Sequence, residues 1–135
     1  MNNYNFINDD RLVDALLAEI ADLLLRLIGQ GEEGTIDLLG LPLSPSCVAA
    51  LDQRLGRGEV NVRLDAFGLS ELRETEFPGV WWAQHADESG RVIARLIEVT
   101  FVPNILRADA EDIKRGRERL LACASAAPKI SRSAA

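Results

Sequence analysis

From Leu12 to Ile28 the apolar residues of this chain recur at spacings of three and four, and from Val60 onward they recur at two. A helix turns its inner face back every 3.6 residues and a strand every second residue, so the change of period marks a change of element. Helix first and strands later, with helical segments returning between and after them, predict an α+β domain. Its sheet is expected to be an antiparallel meander of three to four strands, with about three helices packed mainly on one face.

The punctuation sets the order of elements. The first helix starts near Asp9 or Asp10, whose carboxylates with Asp14 suit the positive end of the helix dipole, and Gly29 and Gly31 stop it. Residues 1–8 carry no periodic signal. Thr35 to Leu39 reads as a short strand or extended segment. Ser44 is placed to cap a second helix with Pro45 in its first turn, running to about Leu55 with Val48, Leu51 and Leu55 inward. Val60, Val62 and Leu64 alternate as a half-buried strand. A longer extended stretch from about Glu71 to His85 is interrupted at Pro78-Gly79, which signals an edge or a bulge. Asp87 to Gly90 has hairpin length, and Arg91 to Val102 is the most strand-like run. Asp109 caps a last helix over about 110–124, with Ile113, Leu120 and Leu121 inward. The residues 126–135 lack large apolar side chains apart from Ile130 and are expected to be disordered. The 135 residues fit a single domain with a core over about 10–125.

Composition narrows the partners. The net charge is −6, but it divides unevenly: residues 107–135 hold seven basic and four acidic residues, +3, and the preceding residues sum to −9. An acidic body disfavours nucleic acid, whose binding is driven by Lys and Arg. The basic last helix either lies against the acidic body or offers a basic face to a partner. No apolar run is long enough for a membrane span. The amino terminus lacks the basic start and apolar stretch of a secretory signal, so the expected location is the cytoplasm. Cys47 and Cys123, far apart and without metal or redox spacing, are expected to be reduced, mostly buried thiols.

Little in the chain points to catalysis. His85 is the single histidine, and no nucleophile elbow, P-loop or dinucleotide fingerprint occurs. No catalytic, cofactor-binding or metal-ligating residue is assigned and no cofactor is expected. A carboxylate cluster of Glu74, Glu76 and Glu98 leaves a small enzyme as the alternative reading, since acid–base work needs paired carboxylates across a cleft. Against it stands an ion-paired strand face with Arg63, Arg73 and Arg95.

The most unusual segment is Phe77-Pro78-Gly79-Val80-Trp81-Trp82, which holds both tryptophans in a chain only 5% aromatic. Successive strand residues point to opposite faces. With Asp87–Gly90 as a four-residue turn, Trp81 pairs with Leu96 and Trp82 with Arg95. Trp81, Ala83, Ala94 and Leu96 then face the helices, and Trp82, Val80, Ile93 and Ile97 form a second apolar patch around Arg95. Exposed Trp and Arg together match binding hot spots. The alternative is that Trp82 is covered by the first helix or by loops.

Four segments carry a family resemblance: Gly34 to Leu43, Leu55 to Val60, Glu74 to Trp82, and Ile97-Glu98-Val99 ahead of Pro103. In order and spacing they resemble the C-terminal conserved region of the HupH/HyaF hydrogenase expression proteins, over about residues 12–107. The resemblance implies an accessory role in the assembly of [NiFe] uptake hydrogenase, with no established catalysis. It implies as partners the iron–sulfur small subunit or other accessory proteins. Members are generally longer, with this region at their C-terminal end. By position the family motif points to Glu59, Glu74, Phe77, Gly79, Val80 and Trp81 as determinants of a common surface or core. Together with Trp82 and Arg95 these are the candidate partner-binding residues. Homodimerisation through the first helix or the Trp82 patch is compatible with that role.

Overall fold

The computed structural model describes residues 3–126, with side chains from 9 to 124. The described residues form two compact units, one ending at Pro103 and one beginning at Asn104. The first contains α1 (Asn3–Gln30), β1 (Gly34–Asp37), α2 (Pro45–Leu55), β2 (Asn61–Asp65), β3 (Leu69–Glu74), β4 (Val80–Ala86) and β5 (Val92–Val99). The second holds a short 3-10 turn (Asn104–Leu106) and α3 (Ala110–Ala126).

The sheet has five strands in the order β1-β5-β4-β3-β2, every neighbouring pair antiparallel. The three to four expected strands become five for two reasons. Residues 34–37 do form a strand, added to the free edge of β5 with Ile36 opposite Ile97. The stretch 71–85 is not one interrupted strand but a hairpin. Pro78-Gly79 is its turn rather than a bulge, because the Val80 N–H returns to the Phe77 carbonyl at 3.0 Å and Gly79 takes φ +89°. Proline at the second position and glycine with positive φ at the third make a type II turn.

Helix α1 begins at Asn3, about two and a half turns before Leu12, where the apolar period starts. Asp9, Asp10 and Asp14 therefore do not sit at its first turn. Asp9 instead accepts hydrogen bonds from Ser44 Oγ at 3.2 Å and Ser46 Oγ at 2.8 Å, tying α1 to the start of α2. Ser44 caps α2 as its sequence implies, its hydroxyl accepting from the Cys47 N–H at 3.1 Å, and Gly56 ends the helix. Cys47, Leu51 and Leu55 form the buried face of α2.

The core lies between α1, α2 and one face of the sheet. Val13, Leu16, Ile20 and Leu27 from α1 meet Leu51 and Leu55 from α2 and Ile36, Val80, Trp82, Ile97 and Val99 from the strands. This inverts the expected orientation: Trp82, not Trp81, faces the helices. The pairing of β4 with β5 also slips by two residues, Trp81 lying opposite Glu98 and Trp82 opposite Ile97, with an irregularity at His85/Ala86. A slip of two preserves which residues share a face. Trp81 occupies the opposite face with Leu72 and Ala83 and is buried too, its indole N–H donating to the Thr100 carbonyl at 3.2 Å. Both tryptophans are only 6% exposed. Of the patch expected around Arg95, Ile93 alone is well exposed.

In the second unit Asp109 Oδ2 accepts from the Glu111 and Asp112 amides, capping α3. Ile113, Leu120 and Leu121, expected inward, are exposed. Of the two cysteines Cys47 is buried as expected, whereas Cys123 is exposed. The expected disorder of the tail concerns residues 126–135, of which 127–135 lie outside the described residues.

Candidate functional site

The β3–β4 turn is built to hold Phe77 at the surface. Thr75, fully buried, donates its hydroxyl to the Val80 carbonyl at 2.9 Å and accepts from the Phe77 N–H at 3.2 Å. Its own N–H reaches the same Val80 carbonyl at 3.0 Å. With the type II turn these bonds satisfy the hairpin's end from within, so the Phe77 ring is free to project rather than fill the core.

The turn stands beside the outer side of α1, and the two form adjoining apolar grooves. One, of about 220 Å³, is lined by Leu17, Ile20, Leu24, Leu55, Phe77 and Val80. The other, of about 290 Å³, is lined by Leu24, Ile28, Glu74, Gly79, Trp81 and Phe101. Leu24 is the wall they share. Glycine is needed at position 79 for its φ of +89°; a Cβ there would lie 3.2 Å from Leu24 Cδ2, a contact that a small shift of that side chain relieves. Around the grooves Leu25 is 70%, Ile28 78% and Phe101 71% exposed, and Val102 is also exposed. Single exposed apolar residues are ordinary, but this many side by side is a patch of the kind that marks an interaction site.

Of the residues singled out in the sequence, Glu74, Phe77, Gly79, Val80 and Trp81 meet at these grooves. Trp82 and Arg95 do not join them. Trp82 backs a separate polar recess of about 210 Å³ with Asp52, Arg57, Asn61, Glu71 and Arg73. There the Arg73 guanidinium lies 5.0 Å above the Trp82 ring, is paired with Asp52, and donates to the Gly56 carbonyl at 3.1 Å. Burial lowers the Arg73 pKa, and the Asp52 charge opposes that shift, so the guanidinium stays charged within its pair. Arg95 donates to Gln84 at 3.1 Å, and Glu59 is exposed in the α2–β2 connection. The sequence offers the first helix as an interface, since an apolar stripe too wide for one contact implies a second one; what it does not show is that Leu24 and Ile28 meet the Phe77 turn there.

The carboxylate cluster does not assemble as one group. Glu74 and Glu98 lie opposite Trp81 on its two sides, so the indole stands between them, and Glu76 turns toward Gly56. His85 Nδ1 and Ser70 Oγ are 2.7 Å apart across the β3–β4 pair. Among the described residues no carboxylate accepts a hydrogen bond from the other ring nitrogen, which a hydrolytic triad requires. No group of three His, Cys, Asp or Glu among them could hold a metal. Among the described residues no helix is long and apolar enough to cross a membrane.

Glu98 is half-buried, and this burial raises its pKa above the ordinary value, a shift that His85 opposes and Glu33 reinforces. The folded state therefore holds the Glu98 proton more tightly than the unfolded chain does. Its contribution is most favourable below the unfolded pKa and is lost as pH rises through the folded one. Glu98→Gln is expected to raise the melting temperature at neutral pH, with the gain vanishing below about pH 4. Thermal melts of both proteins across that range test this; parallel curves would mean that Glu98 is as well hydrated folded as unfolded.

Known proteins resemble this chain over most of its length. A profile described as HupH hydrogenase expression protein, C-terminal conserved region, matches residues 12–127. The hydrogenase expression/formation protein HoxQ of Azotobacter vinelandii is 36% identical over 85 residues, which are 63% of this chain and 30% of that protein. HupH of Rhodobacter capsulatus is 31% identical over 106 residues, 78% of this chain and 38% of that one. The chain thus spans about a third of the length of the curated relatives it matches. A solved structure, the hydrogenase expression protein HupH from Thiobacillus denitrificans ATCC 25259, superposes with a TM-score of 0.83 at 42% identity, covering 85% of this chain and 96% of that one. The sheet order and the Phe77–Trp82 hairpin described above are thus those of a chain that belongs to the HupH hydrogenase expression protein family, in its C-terminal conserved region.

Proposed function

We propose that this protein is an accessory factor in the assembly of [NiFe] uptake hydrogenase, acting by binding another protein through the grooves beside Phe77. The candidate partners are the iron–sulfur small subunit and other hydrogenase accessory proteins. The observation that carries the reading is the placement of the motif. Glu74, Phe77, Gly79, Val80 and Trp81 shape a surface, with an apolar groove on each side of a rigid turn. A purely structural motif would leave no reason for Phe77 to project from a hairpin whose polar groups are already satisfied. The relatives' names, hydrogenase expression/formation protein, supply the process.

The test is affinity capture from cells expressing the hydrogenase operon, with the wild-type chain and Phe77→Ser as baits. The expected outcome is recovery of the small subunit or an accessory protein by the wild type and its loss with Phe77→Ser. Trp82→Ala is unsuitable as a control because that side chain is core. Equal recovery with both baits would move the binding surface elsewhere. Recovery of no hydrogenase component by folded wild-type protein would remove the accessory role.

A further inference from the structure

The outer side of α1 carries a second apolar stripe. Ala18, Ala21, Leu25 and Ile28 follow the three-four-three spacing of a helix-pairing seam, and all are exposed. The core stripe of Val13, Leu16, Ile20 and Leu27 is separate and already used. At about 1.5 Å per residue the exposed stripe runs about 15 Å, roughly three helical turns. It continues into the two grooves through Leu24 and Ile28.

The rim of this surface is acidic. Glu19 and Asp22 flank the stripe on α1, Glu32 and Glu33 follow its end, and Glu74 and Glu76 border the turn. Among the described residues none of the six is in an ion pair, and Arg26 is the one cation of this stretch of α1. Two copies of the chain meeting here would bring like-charged rims together, and an anionic membrane surface would be repelled in the same way. An apolar seam inside a negative rim is complementary to an apolar segment carrying cations.

We infer that the occupant of this surface is a helical segment of a partner protein, apolar along one face and flanked by Lys or Arg, lying alongside α1 against the Phe77 turn. This deepens the proposed function and rests on its choice of surface. The apolar face supplies burial in the manner of helix-in-groove recognition. The flanking cations set orientation and exclude acidic competitors.

The test uses the full chain and two synthetic helical peptides of about four turns. They share one apolar face; one has Lys and Arg on its flanks, the other Glu. Binding is read by fluorescence anisotropy at low and raised salt. The basic peptide is expected to bind, to weaken as salt rises, and to exceed its acidic twin by about tenfold or more. Ile28→Glu is expected to abolish binding. The triple change Asp22→Lys, Glu32→Lys and Glu33→Lys is expected to reverse the preference, so that the acidic peptide binds the better. All four positions are exposed, and unchanged melting curves verify the fold. Equal binding of both peptides, no binding of either, or an unreversed preference in the triple variant would overturn the inference. So would a concentration-dependent doubling of mass that Ile28→Glu removes, which would make a second copy the occupant. Failed operon capture with the charge reversal intact would remove the hydrogenase role and leave the groove chemistry. Successful capture without the reversal would remove only this inference.

Discussion

Trp82→Ala is expected to destabilise the protein by about 3–5 kcal/mol, the range for truncating a large buried aromatic side chain. The ring sits between the sheet and the two helices, in one cluster with Leu51, Leu55 and Ile97. Its loss leaves a cavity that Ile97 and Leu55 cannot both relax into, because each belongs to a regular element pinned at its neighbours. A second effect adds to the first. Arg73 lies against the ring with its side chain 12% exposed and its guanidinium already committed to Asp52 and the Gly56 carbonyl. Without the indole that buried charge faces a void and loses a contact that favours cations. Trp82→Phe, which keeps an apolar ring, is expected to recover a large part of the loss. Urea unfolding of the three proteins measures the differences. A loss below about 1 kcal/mol for Trp82→Ala, the size expected of a surface change, would return Trp82 to the list of partner-contacting residues.

Gly68→Ala is the second large effect, expected to cost about 3 kcal/mol or more. Gly68 closes the β2–β3 turn at φ +125°, a region that L-residues rarely enter. The Ala66 N–H donates to its carbonyl at 3.2 Å. A Cβ there would fall 2.1 Å from the Ala86 carbonyl oxygen and 2.9 Å from the Asp87 carbonyl carbon. These are backbone atoms, so no side-chain rotation relieves the clash. The β2–β3 turn and the end of β4 would have to separate. Gly90→Ala is the matched control. It has φ +88° but nothing within 4 Å of the new Cβ, so only conformational strain remains, about 1 kcal/mol. Equal melting temperatures for the two variants would show that the approach of Gly68 to Ala86 is not tight in solution.

The local elements were readable where one signal dominated. Ser44-Pro45 marked the start of α2, and the alternation of Val60, Val62 and Leu64 marked β2. The Pro78-Gly79 hairpin was misread: proline followed by glycine is the type II turn pair, but taking the flanking residues as one strand turned it into an edge or a bulge. The start of α1 was missed because its first turns, from Asn3, precede the apolar period. The strand β1 was ambiguous because four residues are too few for a period, and pairing with β5 decides it.

The amino-acid sequence by itself determined the α+β class, the α2 cap and the family, since each depends on residues close together in the chain or on ordered short motifs. Tertiary structure alone decided which tryptophan faces the helices. Alternation says that Trp81 and Trp82 part company, but both sheet faces bury residues here, and only docking of α1 and α2 chooses between them. It also decided that the site is a joint product of the turn and α1. Leu24, Leu25 and Ile28 are some fifty residues from Phe77, and no periodicity within α1 tells which of its apolar residues the sheet leaves uncovered.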